Sequence, residues 1–215
     1  MPVRSYQSFE SLRSQLTRHI PVQTTQRRCV LPLVENREQF VRVLERFVNP
    51  DSVRTPQGQR IPALFLRHCN VFELTGLVER ATQLGIAVYL YIDHINGIHA
   101  DNAAICYVAE VLRVRGILSN NVRLLAYAKS LGLETIQRIF ALDSTGLEAA
   151  LDSVDASRVD LLDISPALVV PSIASTLMSQ SCPFIASGLL HTAQHITTVL
   201  DAGAAGVVVA RDELW

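Results

Sequence analysis

Residues 86–113 read IAVYLYIDHINGIHADNAAICYVAEVLR, and this stretch decides the fold. Ile86, Val88, Leu90 and Ile92 fall on one face of a period-two alternation, and Ala87, Tyr89, Tyr91 and Asp93 on the other, which predicts a strand. It is apolar on both faces until it ends on a carboxylate. Gly97 then marks a turn, and Asp101 stands in N-cap position before a helix whose Ala104, Tyr107, Val108 and Val111 share a face. A strand buried on both faces belongs in a parallel α/β sheet or barrel. Such folds hold their ligands at the C-terminal strand ends, so Asp93 is the first candidate site residue.

Outward from this unit the pattern repeats. Strands are expected at 29–34, 63–67, 116–119, 135–140, 159–164, 184–187 and 207–210, with helices after the first seven strands, counting the one at 86–93. Eight alternating strands predict an α/β protein of the TIM-type (β/α)8 class rather than a doubly wound sheet. Only Arg211 to Trp215 follow the last strand, too few for an eighth helix. A leading helix at 8–18, within a segment 1–20, is expected to replace it by closing the barrel floor or the gap between the last and first strands. Residues 49–60 are rich in turn formers and read as a surface insertion in a single barrel domain spanning 1–215.

Composition sets further bounds. No apolar run approaches the roughly 20 residues of a membrane span, and no signal-peptide pattern opens the chain, so a soluble, cytoplasmic protein is expected. Cys29, Cys69, Cys106 and Cys182 show no CxxC spacing and read as buried thiols. The formal net charge is −1, yet residues 1–60 carry ten arginines against five acids, leaving −6 for the remainder. A local basic face, with Arg27 and Arg28 as candidate RNA contacts, is compatible with that asymmetry. Lys129 is the only lysine and falls on a helix away from the rim, which disfavours Schiff-base chemistry. His191 and His195 have metal-ligand spacing without an HExxH glutamate and read as an exposed helix face. No resident metal or cofactor is expected.

A barrel would gather Glu35 and Asn36, His68 and Asn70, Asp93 and His94, Ser119 and Asn120, Gln137 or Arg138, Asp143, Asp163, and Ser187 with Gly188 at one rim. Alternation turns Leu162 and Ile164 toward the helices and Leu161 with Asp163 inward, so Asp93 and Asp163 are expected to converge. Two such carboxylates can hold ligand hydroxyls, bind a metal or form an acid–base pair, and an enzyme acting on a small phosphorylated substrate is the alternative to a regulator. Each is also explicable as a helix cap or loop anchor.

Ile92-Asp93 with Gly97, GILS at 116–119, AKSLGLETIQRIFALDS at 128–144, AGA at 202–204 and Glu213-Leu214-Trp215 resemble the glycerol-3-phosphate-responsive antiterminator family over nearly the whole chain. The resemblance implies a TIM-type barrel that binds glycerol 3-phosphate and acts on a leader mRNA to prevent transcription termination, a regulator of glycerol catabolism and not an enzyme. The chain departs from the family pattern at Cys69-Asn70, usually Gly-Asp, and at Asp163 to Ala167, usually Glu-x-x-Pro-Gly. It departs again at Ser187-Gly188, usually Gly-Gly, and at Val208, Val209 and Ala210, where Ser and Thr are usual, so the expected ligand is glycerol 3-phosphate or a related phosphorylated polyol. A phosphate is expected on the backbone N–H groups of Ser187, Gly188 and Leu189, with Arg211 as the cation and the Ser187 hydroxyl supplying a lost contact. Asp93 and Asp163 would face the polyol end. The sequence leaves the oligomeric state open, a homo-oligomer included.

Overall fold

A computed structural model describes residues 11–17, 29–48 and 63–215. Its eight strands are β1 (Val30–Val34), β2 (Ala63–Leu66), β3 (Ala87–Tyr91), β4 (Gly116–Ser119), β5 (Glu134–Phe140), β6 (Leu161–Ser165), β7 (Phe184–Ser187) and β8 (Gly206–Val209). All neighbours pair in parallel, and Val30↔Val207 with Leu31↔Val208 joins β1 to β8 and closes the barrel. The helices are α1 (Leu12–Thr17), α2 (Arg37–Val48), α3 (Val71–Gln83), α4 (Asn102–Cys106), α5 (Val122–Ser130), α6 (Ser144–Asp152), α7 (Val170–Met178) and α8 (Ala193–Asp201). The expected insertion at 49–60 and the candidate RNA contacts Arg27 and Arg28 lie outside the described residues.

Strand alternation divides the buried side chains into two layers. Phe65, Tyr89, Ile136, Leu161, Ile185 and Val208 fill the barrel, whereas Leu64, Leu90, Ile117, Leu162, Ala186 and Val207 pack beneath the helices. Several helices start at the C-terminal rim on the caps their sequences supply. Asp101 accepts from Ala104 N–H, Asn121 from Arg123 and Leu124, and Asp143 from Gly146. After α4 the chain widens into a π-helical turn at Tyr107–Val111. That shift leaves Val111 64% exposed and buries Leu112 instead, so the expected apolar face holds only as far as Val108.

Of the two places offered to the leading helix, α1 takes the barrel floor. Leu12 is fully buried in the interior cluster and Leu16 packs beside it. Glu134, 4% exposed at the start of β5, accepts from the backbone N–H of Leu12 at 2.9 Å and of Arg13 at 2.8 Å. It also accepts from Tyr89 Oη at 2.6 Å. One buried carboxylate thereby satisfies two free N–H groups of the helix start and the lowest phenol of the barrel. The C-terminal residues close the other gap. Trp215 Nε1 donates to the Val209 carbonyl at 2.6 Å, the Arg46 guanidinium lies 5.7 Å over the Trp215 ring, and Arg42 pairs with Asp212 at 2.9 Å. The terminal turn therefore packs on α2 where an eighth outer helix would stand.

The four cysteines are free, with Cys106 half-buried and the other three buried, and Lys129 binds Asp160 at 2.6 and 2.7 Å.

Candidate functional site

At the C-terminal mouth the inward positions of β2, β3, β5, β6 and β7 end in Arg67, Tyr91, Arg138, Asp163 and Ser187. Tyr91 forms the bed of the site. The Arg67 and Arg138 guanidinium carbons stand 5.7 and 5.3 Å from its ring centroid, and Arg138 is also 4.7 Å from that of Phe140. Asp163 is wholly buried; its Oδ2 accepts from Ser187 Oγ at 2.9 Å and lies 3.6 Å from Arg138 Nε. Arg138 donates to Ser165 Oγ at 3.2 Å, while Arg67 forks onto Glu35 at 2.7 and 3.0 Å. His68 adopts a left-handed backbone at φ 60°, which places its ring edge-on to His94 at 5.6 Å. Strain of that kind in a non-glycine residue is concentrated at binding sites.

Four buried polar atoms at this mouth have no partner among the described residues: Tyr91 Oη, His94 Nδ1, Arg138 Nε and Asp163 Oδ1. Buried polar atoms are usually satisfied, and four orphans at the strand ends of one barrel make this mouth the candidate site. Burial pushes the Asp163 carboxyl up to about 6, against the opposing pull of Arg138 and the Ser187 hydrogen bond. Burial, then Arg138, pushes the His94 imidazole down, and burial with the Asp163 charge pushes the Tyr91 phenol up.

Asp163 thus holds its proton more tightly folded than unfolded. Its contribution to stability is fully present below about pH 4 and is lost as pH rises through its folded value of about 6. A rise of that size corresponds to something on the order of 3 kcal/mol. Urea denaturation of wild type and Asp163→Asn at pH 4 and pH 7 is expected to show this fall in wild type and not in the variant. Equal pH dependence in the two proteins would place Asp163 in a solvated environment.

The structure brings some sequence-predicted residues together and disperses others. Arg138, Asp163 and Ser187 form one contact group. Asp93 does not join them, because β3 ends at Tyr91 and a 3-10 turn over Ile92–His94 breaks the alternation. Its side chain is exposed and accepts a long 3.4 Å contact from Asn120 N–H. The expected convergence with Asp163 fails, and with it the paired-carboxylate geometry of the enzyme reading. Gln137 points outward, where its amide donates to Ser153 Oγ at 3.1 Å; Arg138 is the inward neighbour. Ser119 Oγ accepts from Asn121 N–H at 3.0 Å, and Asn70 caps α3 by accepting from Phe72 N–H at 3.0 Å, so both side chains serve their own turns. Arg67, Tyr91 and Glu35 complete the mouth. Arg67 was detectable as the next inward position after Ala63 and Phe65, and Tyr91 as the last before Asp93.

The turn after β7 carries two successive left-handed residues, Gly188 at φ 83° and Leu189 at φ 59°. Arg211 reaches this segment from the end of β8, donating to His191 Nδ1 at 3.0 Å and pairing with Glu213 at 3.1 Å. The Ser187 hydroxyl, by contrast, gives its proton to Asp163 and has none for a phosphate. A Cβ on Gly188 would stand 3.1 Å from Ser165 Oγ. Gly188→Val is therefore expected to cost about 2 kcal/mol through the left-handed backbone and to abolish any response to phosphorylated ligands, as read by thermal shift. An undiminished response would exclude this turn from the site.

These features define a class: a closed (β/α)8 barrel with a charged, partly unsatisfied mouth at its C-terminal strand ends. The model of the family described as glycerol-3-phosphate responsive antiterminator matches residues 43–215, and the chain belongs to that family. A glycerol uptake operon antiterminator regulatory protein from Listeria monocytogenes is 21% identical, covering 91% of this chain and 97% of its own, with a TM-score of 0.74. An antiterminator-related protein from Thermotoga maritima is 20% identical over 87% of this chain and 98% of its own, with a TM-score of 0.72. The Escherichia coli protein YgcP is 21% identical over 68% of this chain and 76% of its own. The tryptophan synthase α-subunit of Pyrococcus furiosus has the same fold at a TM-score of 0.59 and 13% identity, covering 85% of this chain and 86% of its own.

Proposed function

We propose that this protein is a cytoplasmic, glycerol-3-phosphate-responsive antiterminator that binds a leader mRNA and so regulates glycerol catabolism, without catalysing a reaction. Family membership supports the role. The observation that carries the ligand reading is the mouth itself, where Tyr91, Arg138 and Asp163 offer unsatisfied donors and an acceptor beside a glycine turn flanked by Arg211. The phosphate sits on the N–H groups of Gly188 and Leu189, drawn by Arg211. The polyol faces Asp163 and Tyr91.

RNA binding rests on arginines of the first 60 residues, Arg27 and Arg28 among them. Among the described residues no helix is long and apolar enough to cross a membrane, which agrees with a partner in the cytoplasm. Titration of leader RNA against rising salt tests the reading. Each arginine–phosphate contact contributes about 0.7 to 0.9 to the slope of log K on log salt, so Arg27→Ala with Arg28→Ala is expected to flatten it by about 1.4 to 1.8. Absence of RNA binding at low salt, with and without glycerol 3-phosphate, would remove the antitermination reading.

A further inference from the structure

The mouth holds three unsatisfied buried atoms on neighbouring side chains. Asp163 is fully buried, with Oδ2 engaged by Ser187 Oγ and Oδ1 without a partner among the described residues. Arg138 Nε, 3.6 Å from Asp163 Oδ2, is too far for a good hydrogen bond and is likewise unpartnered. Tyr91 Oη stands beside both Asp163 and Ser187 and is left without a well-formed hydrogen bond among the described residues. Tyr91 and Asp163 are each 0% exposed, so neither atom is left to bulk water.

The trio consists of one acceptor and two donors. An alcohol matches it completely, because a hydroxyl donates one proton and accepts two. A ketone oxygen accepts from Tyr91 and Arg138 but has nothing to give the carboxylate. From these valences we infer that the mouth reads the oxidation level of its ligand, accepting a secondary alcohol next to a phosphate-bearing carbon and rejecting the corresponding ketone. This rests on the phosphorylated-polyol reading above. The position along the ligand follows from the fold. Gly188 is next in sequence to Ser187, whose hydroxyl is bonded to Asp163, so a phosphate on the Gly188 turn leaves Asp163 within reach of the adjacent carbon and not of the far end. The sensor thereby distinguishes the reduced form of a three-carbon phosphate from its oxidised form, a selection that bulk and net charge do not supply. Sites built to hydrogen-bond a hydroxyl discriminate strongly against analogues that leave their buried groups unpaired.

Calorimetric titration of the full chain with glycerol 3-phosphate, dihydroxyacetone phosphate and inorganic phosphate tests this at pH 7.5. The alcohol is expected to bind about 10- to 100-fold more tightly than the ketone, the range set by leaving one charged buried acceptor unpaired. Asp163→Asn supplies the second arm. Its amide oxygen keeps the Ser187 hydrogen bond, its NH2 takes the Oδ1 position and donates to a carbonyl, and the preference is expected to shrink or reverse. Tyr91→Phe, which deletes a donor common to both ligands, is expected to weaken both and keep their ratio. Equal affinity of wild type for alcohol and ketone would overturn the inference and leave the glycerol-3-phosphate reading standing. Binding of neither compound would overturn the reading itself, and the inference with it.

Discussion

Glu134→Ala is expected to lower stability by about 3 to 5 kcal/mol, the cost of removing one partner from a buried, charged hydrogen-bond group. The variant leaves the Leu12 and Arg13 N–H groups and the Tyr89 phenol without their acceptor. It also removes the nearest carboxylate from Arg115, whose Nε lies 3.7 Å from it. For a chain of this size, 1 kcal/mol corresponds to about 2 to 4 °C in Tm, so a fall of about 10 °C is expected by calorimetry. Tyr89→Phe removes a single hydrogen bond and is expected to cost about 1 kcal/mol. Proteolysis should cleave near α1 faster in the alanine variant, since Leu12 loses the anchor that seats it in the barrel. A loss below 1 kcal/mol would mean that α1 does not depend on this carboxylate.

Arg138→Ala is expected to be nearly as damaging, and only at neutral pH and above. Arg138 is the charge that most opposes the burial-driven rise of Asp163. Without it the carboxyl is pushed above 6, because desolvation then acts with less opposition. At pH 7.5 the folded chain must either hold an uncompensated buried carboxylate or take up a proton, and stability is expected to drop by about 3 kcal/mol. Near pH 5 Asp163 is protonated in both proteins and the difference should shrink. Glycerol 3-phosphate affinity is expected to fall at least about 100-fold at either pH, because the proposed binding mode makes the guanidinium that lies over Tyr91 a ligand donor as well. Stability measured across pH separates the two effects; a pH-independent loss would mean that Asp163 and Arg138 are not coupled.

The barrel was legible because burial on both strand faces leaves a strong signature. All the strands but β5 read as short, largely apolar runs, and the caps Asp101, Asn121 and Asp143 start helices from their own sequence neighbours. The site was legible only in part. Alternation placed Asp163 inside correctly but was extended two residues beyond the end of β3, where a 3-10 turn sends Asp93 outward. In β5 both faces mix polar and apolar residues, Thr135, Gln137 and Ile139 against Ile136, Arg138 and Phe140, so pattern alone did not choose between Gln137 and Arg138. The structure chooses Arg138 because Ile136 is a barrel-interior residue. Glu134 gave no local signal whatever. A carboxylate at a strand start resembles a surface residue until its partners, 121 and 122 positions away, are known.

The most direct measurement of the central claim is a crystal structure of the protein with glycerol 3-phosphate. The phosphate is expected on the Gly188 and Leu189 N–H groups beside Arg211, with the adjacent hydroxyl between Tyr91 Oη, Arg138 Nε and Asp163 Oδ1. Glycerol 3-phosphate bound elsewhere on the molecule, with its phosphate away from the Gly188 turn and the trio untouched, would contradict the account.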